Sequence, residues 1–553
     1  MSTRNTSVHK KMMASFKIGV LIATALKRSD LLINRALLSV LSQTRKADYI
    51  VIVDDNMDAS ESALLEERIA SFNNPQIVYL KNQKTQGHSG SGAWNSGIDW
   101  YGNAIDSNDY IAILDDDDSW DSTYLEKMES AINKFSAGNS GELPDLCAAF
   151  LKRSDCLYPH VFQPEDFSLD SFLLGNVGIQ GSNMFVKLNV LRCVNGFDEN
   201  LDSCTDRDIL MRIIQAFPKL RLVVVPEVLV NHFAWQGSIT YNREAKNSGL
   251  TKFFEKYIEL YSVDILKKSL ERAEKLFGYT QSDYIWKLFH LVHGHPQENK
   301  VVIGVAVHNG RATIRRCLES ILSQRGFQGK LWIVIADDNS TDNWEAEVID
   351  LLALPNILLI KVKNNSVYKT RNDIHDFVHR YFEENFLLGR LDCDDEFSDK
   401  EVLSKIERIY TATQADVVLA GNYLRQDGAI LDRINRASKN LLEPEYVLER
   451  LEKMAKGVPE AELPSCNTFL TSKSLLSYPN EKSAEDHFLL TELLLGPHDL
   501  KIVVAEDVLS TIYNLSGNST ATNKKSETYL ETRKRLYQKG ADLCRIKSAN
   551  KKH

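Results

Sequence analysis

The sequence lacks long hydrophobic runs, and none approaches the roughly 20 residues that a membrane-spanning helix requires. Residues 1–16 are polar and lack the apolar core of a secretion signal. Glycine and proline are sparse, at 27 and 13 of 553 residues, which excludes collagen-like and proline-rich architectures. We therefore expect a cytoplasmic protein whose contact with a membrane, if it makes one, is peripheral and at the inner face.

The eight cysteines are scattered and form no C-x-x-C pair, so we predict reduced thiols rather than a disulfide framework or a zinc site. The formal net charge of −9 argues against a general nucleic-acid-binding surface. Positive charge is concentrated from Lys524 to His553, where ten Lys or Arg residues accompany three Asp or Glu residues. This basic tail could contact anionic lipid, and a solvated helix end is the alternative.

Six motifs occur twice, in the same order, at spacings of 277 to 285 residues. One such pair could arise by chance, but six in order indicate two copies of one domain of about 220 residues. The pairs are IGVLIAT (18–24) and IGVAVH (303–308), SVLSQT (39–44) and SILSQR (320–325), IVIVDDN (50–56) and IVIADDN (333–339), IAILDDDDSW (111–120) and GRLDCDDEF (389–397), GSNMFV (181–186) and SCNTFL (465–470), and TDRDILMRI (205–213) and EDHFLLTEL (485–493).

Each copy alternates short β-rich runs with helical patterns, which is typical of βαβ units on a mostly parallel, Rossmann-like sheet. The segment between the copies has apolar residues at helical spacing and no strand signals. We therefore predict an α/β protein of two tandem domains joined by a helical connector. The predicted parts are a polar extension (1–16), a first domain (17–241), the connector (242–299), a second domain (300–520) and the basic tail (521–553).

Carboxylates follow the predicted strands in both copies. Because the carboxyl ends of parallel strands meet at one edge of a sheet, these side chains should lie close together. Carboxylate oxygens suit Mg²⁺ or Mn²⁺, and a diphosphate ligand could complete the coordination. An acidic helix cap is the alternative, and the matched second copy weakens it. The residues are Asp54, Asp55, Asp115 and Asp117 in the first copy and Asp337, Asp338, Asp392 and Asp394 in the second.

Asp206 and Asp486 begin segments with helical spacing further along each copy. A carboxylate at this position could act as a general base toward an acceptor hydroxyl. The alternative is an acid that stabilises the positive end of the helix dipole.

Taken together, SVLSQT, VDDN, LDDDD, GSNMFV, GFDE (196–199) and TDRD resemble glycosyltransferase family 2, with its GT-A fold. The second copy resembles it through SILSQR, ADDNSTD, YKTRN (368–372), LDCDDEF and AEDHFLL. The resemblance implies a nucleotide-diphospho-sugar donor, with a UDP-sugar favoured, a Mn²⁺ or Mg²⁺ ion, and inversion at the anomeric carbon. The implied roles are catalytic bases (Asp206, Asp486), donor-binding residues (Thr24, Asp54, Asp55, Asn95, Asp115, Asp337, Asp338, Arg371, Asp392) and metal-binding residues (Asp117, Asp394, His232).

Both copies depart from the family pattern. Where many members have Arg, the first copy has Trp94, and where many have Glu before the catalytic Asp it has Thr205. The second copy keeps Arg371 and Glu485 but has no histidine late in the domain to match His232. These differences predict different donors or acceptors for the two copies.

We therefore predict a bifunctional inverting glycosyltransferase that extends an oligosaccharide or lipid-linked glycan of a bacterial surface polysaccharide, O-antigen or capsule. Three alternatives stay open at this point. One domain could be catalytic while the other binds glycan or donor. The chain could be a sugar nucleotidyltransferase, which would release pyrophosphate. A structural scaffold is the weakest alternative, since a scaffold has no need of acidic clusters at strand ends twice.

Overall fold

The computed structural model describes residues 15–25, 28–86, 89–234, 242–294, 299–382, 385–458, 463–464, 467–481, 483–516 and 527–550. The chain divides into two compact units, Met1–Ile285 (the first unit) and Trp286–His553 (the second unit). This division falls inside the predicted connector, and the predicted domain bounds stay predictions. Most of the predicted N-terminal extension and part of the basic tail (521–526 and 551–553) lie outside the described residues.

The first unit is built on an eight-stranded sheet in the order β3-β2-β1-β4-β7-β6-β8-β5. Its strands are β1 (Ile18–Thr24), β2 (Tyr49–Asp54), β3 (Ile77–Lys81), β4 (Tyr110–Asp115), β5 (Ser119–Trp120), β6 (Leu146–Arg153), β7 (Met184–Lys187) and β8 (Leu222–His232). Its helices are α1 (Ser29–Leu31), α2 (Leu38–Leu41), α3 (Ala59–Ala70), α4 (Ser91–Ala104), α5 (Tyr124–Gly138), α6 (Leu169–Leu174), α7 (Leu188–Cys193), α8 (Thr205–Ala216), α9 (Arg243–Tyr257) and α10 (Val263–Phe277).

The second unit repeats this order as β11-β10-β9-β12-β16-β14-β17-β13, with β15 paired to β14. Its strands are β9 (Lys300–Val307), β10 (Lys330–Asp338), β11 (Ile357–Val362), β12 (Phe386–Arg390), β13 (Glu396–Phe397), β14 (Val417–Gln426), β15 (Ala429–Asn435), β16 (Thr468–Leu470) and β17 (Ile502–Asn514). Its helices are α12 (Ile314–Leu322), α13 (Ile349–Leu352), α14 (Val367–Tyr381), α15 (Val402–Thr413), α16 (Pro444–Ala455), α17 (Glu485–Leu495) and α18 (Glu527–Asn550), while α11 (Ser282–Val292) crosses the division.

Both sheets are mixed. In the first unit, β3, β2, β1 and β4 are parallel neighbours, whereas β7 runs antiparallel to β4 and β6, and β5 runs antiparallel to β8. The second unit has the same arrangement in its corresponding strands. The predicted fold class, two tandem α/β domains, is confirmed, and its parallel character holds for the four strands that precede the acidic turns.

One part of the proposed repeat is out of register. Strand β1 pairs Leu21 with Val51, and strand β9 pairs Gly304 with Val334. Since Val51 and Val334 hold the same place in IVIVDDN and IVIADDN, Gly304 corresponds to Leu21 and not to Gly19. Matching the two Ile-Gly pairs was therefore wrong by two residues. A shift of two residues keeps every side chain on the same face of the strand, so the pattern of apolar residues does not reveal it.

The packing of β1 against α4 and of β9 against α14 supports this register. A Cβ at Gly97 of α4 would lie 2.1 Å from Leu21 Cδ1, so the strand supplies the large side chain and the helix supplies the glycine. In the second unit the sizes are exchanged, because a Cβ at Gly304 would lie 2.7 Å from Ile374 Cγ2 of α14. The close-packed interior tolerates this exchange since the total volume of the pair is kept.

Most of the predicted connector belongs to the first unit. Phe253 and Phe254 of α9 are fully buried, and the guanidinium of Arg207 lies 4.0 Å from the centre of the Phe253 ring. The hydroxyl of Tyr257 donates to Asp208 Oδ1 at 2.8 Å. The helical character of this segment is as predicted, but α9 and α10 complete the fold of the first unit.

The described part of the basic tail is helix α18, which packs against α16 and α17 of the second unit. Leu536 is fully buried in a cluster that includes Leu451 and Leu490. A Cβ at Gly540 would lie 2.7 Å from Leu451 Cδ1, so the two helices approach closely there. Within the described residues, no helix has the length and apolar character to cross a membrane.

Candidate active sites at the two acidic turns

A serine and a glutamine fix the segment after each acidic turn. In the first unit, Gln43 Nε2 donates to the backbone oxygen of Asp121 at 2.7 Å, and its Oε1 accepts from the amide of Leu125 at 2.9 Å. Ser39 Oγ accepts from the amide of Trp120 at 3.2 Å. The same contacts recur in the second unit through Gln324 and Ser320. The repeated S-x-L-S-Q motif is therefore a structural support for the turn.

The acidic turn of the first unit brings three ligand atoms together. One ligand atom each from Asp115, Asp118 and His232 lie within 4.8 Å of one another. Asp118 is fully buried, and its Oδ2 lies 2.9 Å from His232 Nδ1, at the end of β8. Its Oδ1 accepts from the amide of Phe233 at 2.9 Å. These bonds hold the carboxylate and the imidazole in fixed orientations.

Ser182 connects the two carboxylates. Its hydroxyl lies 2.6 Å from Asp118 Oδ2 and 3.2 Å from Asp115 Oδ2, and its oxygen accepts from the Asp115 amide at 3.1 Å. Burial, together with the charges of Asp118 and Asp206, raises the pKa of Asp115 well above its usual range. A cation at this place would relieve that repulsion. Two carboxylates and one imidazole, joined by ligand oxygens of a diphosphate, form a donor set that fits Mn²⁺ or Mg²⁺.

One predicted site residue, Asp117, contacts Arg28 beside this cluster, and another, Thr24, contacts the neighbouring Asp116. Asp117 Oδ2 accepts from Arg28 Nη1 at 3.3 Å, and Asp116 Oδ1 accepts from the same atom at 2.8 Å. Thr24 Oγ1 donates to Asp116 Oδ2 at 2.7 Å. Burial raises the pKa of Asp116 to about 7. The described residues bring Asp118, rather than Asp117, to His232, and the metal role of Asp117 stays a prediction.

The earlier acidic pair of the first unit is held by the protein. Asp54 Oδ2 accepts from Tyr79 at 2.7 Å and from Lys81 Nζ at 2.8 Å. Burial opposes ionisation of Asp54, but these hydrogen bonds outweigh it and lower its pKa. Asp55 Oδ1 accepts from Asn82 Nδ2 at 2.6 Å. Both side chains therefore fix the loop after β3 at the carboxyl edge of the sheet.

Asn95, which was predicted to bind the donor, connects α4 to the G-F-D-E motif. Its Nδ2 donates to the backbone oxygen of Phe197 and to Glu199 Oε1, both at 2.8 Å, and its Oδ1 accepts from the amide of Phe197 at 2.8 Å. The beginning of α4 is thereby fixed to a loop about 100 residues further along the chain.

The two predicted bases begin equivalent helices. Asp206 is the second residue of α8 and Asp486 is the second residue of α17. The residue before each helix has a left-handed backbone, with φ of 66° at Cys204 and 61° at Ala484. Burial raises the pKa of Asp206 to about 6. The local geometry of the base is thus the same in both units, although its electrostatic surroundings differ.

The acidic turn of the second unit is paired with arginines. Both oxygens of Asp392 accept from Arg371 Nη2, at 2.9 and 3.1 Å. Arg390 donates from Nε to Oδ1 at 3.1 Å and from Nη2 to Oδ2 at 2.9 Å. Arg371 Nη1 also donates to Glu485. Burial opposes ionisation of Asp392, but the two guanidinium groups lower its pKa to about 2.

The same arginines act on the predicted base of this unit. Asp486 Oδ2 lies 3.7 Å from Arg390 Nη2, and Asp486 Oδ1 lies 3.0 Å from His487 Nδ1. Burial would raise the pKa of Asp486, but His487 and the arginines hold it well below its usual range. In contrast, burial and the charge of Asp392 raise the pKa of Asp394 to about 6.

A family model matches the parts of the chain that contain the two acidic turns. The model of "Glycosyl transferase family 2" matches residues 22–144 and 302–475, which is more than half of the chain and includes both acidic turns. The chain belongs to glycosyl transferase family 2. Its two matched segments fall in the two units, so the GT-A fold predicted from the motifs is confirmed for the tandem arrangement.

Solved structures similar to this glycosyl transferase family 2 chain include residues 1–349 of S. aureus TarS with UDP, at 18% identity and a TM-score of 0.32. That match covers 44% of this chain and 65% of TarS 1–349, which is under two thirds. The mannosyltransferase PcManGT from Pyrobaculum calidifontis, with GDP-Man and Mn²⁺, matches at 14% identity and a TM-score of 0.33, over 49% of this chain and 71% of its own. A comparison with curated proteins finds no significant match.

The predicted nucleoside-binding acids of the second family 2 unit make internal contacts. Asp338 accepts from three consecutive backbone amides, 364–366, at 2.7 to 2.9 Å, and from Thr370 Oγ1 at 2.9 Å. Burial opposes ionisation of Asp338, but these bonds lower its pKa. Asp337 Oδ1 accepts from Trp344 Nε1 at 3.2 Å. Their donor-binding roles stay predictions.

Sequence reasoning missed several residues of these sites. Asp118 stood in the repeated LDDDD motif but was not among the residues predicted to bind the metal. Ser182 stood in the repeated GSNMFV motif, so a search for hydroxyl groups in repeated motifs could have found it. Arg390 is the last residue of strand β12 and lies within the repeated motif GRLDCDDEF, but only the structure shows that its guanidinium binds Asp392.

Proposed function

We propose that this chain is a nucleotide-sugar-dependent glycosyltransferase with one transferring site in each unit. The observation that carries the proposal is the group of Asp115, Asp118 and His232 at the carboxyl edge of the first sheet, near the helix whose second residue is Asp206. Family membership supports the same reaction class. Carboxylates at such an edge are placed where open α/β sheets bind their ligands.

In the first unit, Asp206 is proposed to accept the proton of an acceptor hydroxyl. That oxygen forms a bond to the anomeric carbon, while the bond from this carbon to the diphosphate breaks and its electron pair leaves with the nucleoside diphosphate. Attack opposite the leaving group inverts the configuration. With a pKa of about 6, Asp206 is mostly ionised at neutral pH and able to take the proton.

Asp115, Asp118 and His232 are the residues that would hold a Mn²⁺ or Mg²⁺ ion. The hydrogen bond from His232 to the buried Asp118 would fix the ring as a ligand. When bound, the ion supplies positive charge for the departing diphosphate.

The product that we propose is a bacterial surface polysaccharide, O-antigen or capsule, and two linked sites suit a two-sugar repeating unit. The different surroundings of Asp206 and Asp486 support different donors or acceptors for the two units. A lipid-linked acceptor would bring the basic residues of α18 near anionic lipid.

A second candidate is a chain with one catalytic unit and one binding unit. It is favoured by the second acidic turn, where both oxygens of Asp392 are already bonded to arginines. In this case the second unit would bind glycan or donor without transferring it.

The test is nucleotide release from UDP-, GDP-, CDP- and dTDP-sugars with an oligosaccharide or lipid-linked acceptor panel. Asp206→Asn and Asp486→Asn form a matched pair of variants, because both residues hold the second position of their helices. Loss of a base is expected to slow transfer by about 10²- to 10⁴-fold. If each variant loses a different donor, both units transfer sugar. If Asp486→Asn leaves all release unchanged, the second unit is a binding module, and pyrophosphate release would instead indicate a nucleotidyltransferase.

A further inference from the structure

The matched carboxylates Asp115 and Asp392 of the two acidic turns have different neighbouring side chains. Strand register matches Arg390 with Ile113, because Gly304 pairs with Arg390 as Leu21 pairs with Ile113. The family pattern matches Arg371 with Trp94, each of which precedes an Asn. Ile113 and Trp94 are both buried, so apolar groups in the first unit occupy the positions from which two arginines contact the acidic turn of the second.

The position of His232 also holds a different residue in the second unit. In the first unit, Ser119 pairs with Asn231, the residue before His232. In the second unit, Glu396 pairs with Ile512, the residue before Tyr513. Register therefore puts Tyr513 at the position of His232. A phenol is a much poorer ligand than an imidazole at neutral pH, since its pKa is near 10.

We propose that the second unit does not take the divalent cation that the family implies, and that this chain holds a single such ion, in the first unit. The proposal rests on the metal assignment made above for the first unit. Among the described residues, the group of Asp115, Asp118 and His232 is the only set of three potential ligands brought within 4.8 Å.

Electrostatics explains why the second turn should reject a cation. Asp392 shares four hydrogen bonds with two guanidinium groups, so an ion that coordinated it would have to replace charge-assisted bonds. The ion would also lie within a few ångströms of two fixed positive charges, in a site largely shielded from water. In the first unit the described contacts of Asp115 are with Ser182, a neutral hydroxyl, which leaves its charge for an ion.

A further acid of the second turn, Glu396, is also paired with arginines. Glu396 Oε1 accepts from Arg425 Nη2 at 2.5 Å, and its Oε2 lies 2.8 Å from Arg316 Nε. The residue that matches Glu396 in the first unit is Ser119, which is neutral. Arg316 has a counterpart in the first unit, since Arg35 donates to the backbone oxygen of Asp117 as Arg316 donates to that of Asp394. The second turn therefore differs in the acid Glu396 and in the two arginines that pair with Asp392.

The experiment is a count of Mn²⁺ bound per full-length chain, from the electron paramagnetic resonance signal of free Mn²⁺, with UDP in one series and GDP in another. The expected result is one ion. Asp118→Asn and Asp395→Asn are the matched variants, because these residues hold the same place in the two D-x-D-D elements. We expect the first to weaken Mn²⁺ binding at least tenfold and the second to change it less than twofold.

A second measurement begins with the wild-type protein, and one variant serves as its control. Nitrogen coupling in the pulsed spectrum of the bound Mn²⁺ should report His232, and His232→Gln should remove it. Two ions per chain, or a single ion that is lost in Asp395→Asn and retained in Asp118→Asn, would overturn the inference. Absence of bound Mn²⁺ would overturn it too, whereas sugar transfer without bound Mn²⁺ would leave the proposed function intact.

Discussion

At the two positions where the second unit has Arg371 and Arg390, the first unit has the buried Trp94 and Ile113. The supports of the turn are alike, since Gln43 and Gln324 make the same hydrogen bonds. The comparison teaches that the backbone of a duplicated site can be kept while its charge balance is rebuilt. Asp115, whose described side-chain partner is the neutral Ser182, is suited to an external cation, whereas Asp392 is already paired within the protein.

The largest effect is expected from breaking the arginine pairing. Arg371→Met should leave Asp392 and Glu485 buried with less compensation and lower the free energy of unfolding by about 3–5 kcal/mol. Urea denaturation measures the loss. Arg371→Met combined with Glu485→Met should recover part of it, because one of the uncompensated charges is removed. A single variant as stable as the wild type would show that solvent or another residue balances these acids.

The comparison can be sharpened by moving a charge into the first unit. Ile113→Arg should introduce a fixed cation beside Asp115 and weaken Mn²⁺ binding by about 100-fold, or about 2.7 kcal/mol. Ile113→Met is the size-matched neutral control and should bind Mn²⁺ as the wild type does. Isothermal titration gives both affinities, and thermal melting confirms that each variant is folded. Equal affinities in the two variants would contradict the electrostatic explanation.

The exchanged packing pair tests the register between the units. Gly97→Ala would place a methyl group 2.1 Å from Leu21 Cδ1, and overpacking should cost about 2 kcal/mol of stability. Adding Leu21→Ala should make the combined loss smaller than the sum of the two single losses. Gly304→Ala and Ile374→Ala provide the same cycle in the second unit. Strict additivity in either cycle would mean that the two positions do not touch.

The smallest difference is expected at the supporting glutamines. Gln43→Ala and Gln324→Ala each remove three hydrogen bonds of similar geometry and should each cost about 2 kcal/mol. The two losses should agree within about 0.5 kcal/mol, as measured by denaturant unfolding. A large inequality would show that the turns are not equally supported.

The sequence allowed the α/β class and the tandem repeat to be predicted, because the motifs lie at strand ends and helix starts, where local pattern and topology coincide. The antiparallel strands β7 and β5 were not foreseen. They are four and two residues long, too short for a periodic pattern. Gly19 was wrongly matched with Gly304 because a shift of two residues leaves the inward and outward faces of a strand unchanged, so the sequence pattern looks the same.

The candidate sites were predicted in part. The acidic turns and the late His232 were recognised as motifs, but the contact between Asp118 and His232 joins residues 114 positions apart. Such a contact depends on how β8 lies in the sheet, which no local pattern specifies. The role of Arg390 was not anticipated, because the motif that contains it does not specify that its side chain turns toward Asp392, two residues further along the chain.

Helix α18 has a practical consequence for work on the second unit. Leu536 of this helix is buried, and at Gly540 the helix lies close to Leu451, so it covers apolar side chains of α16. A fragment ending soon after β17 would expose this surface to water and should be prone to self-association. Fragments intended to isolate the second unit should therefore extend to the end of α18, and peptide tags should be joined beyond it.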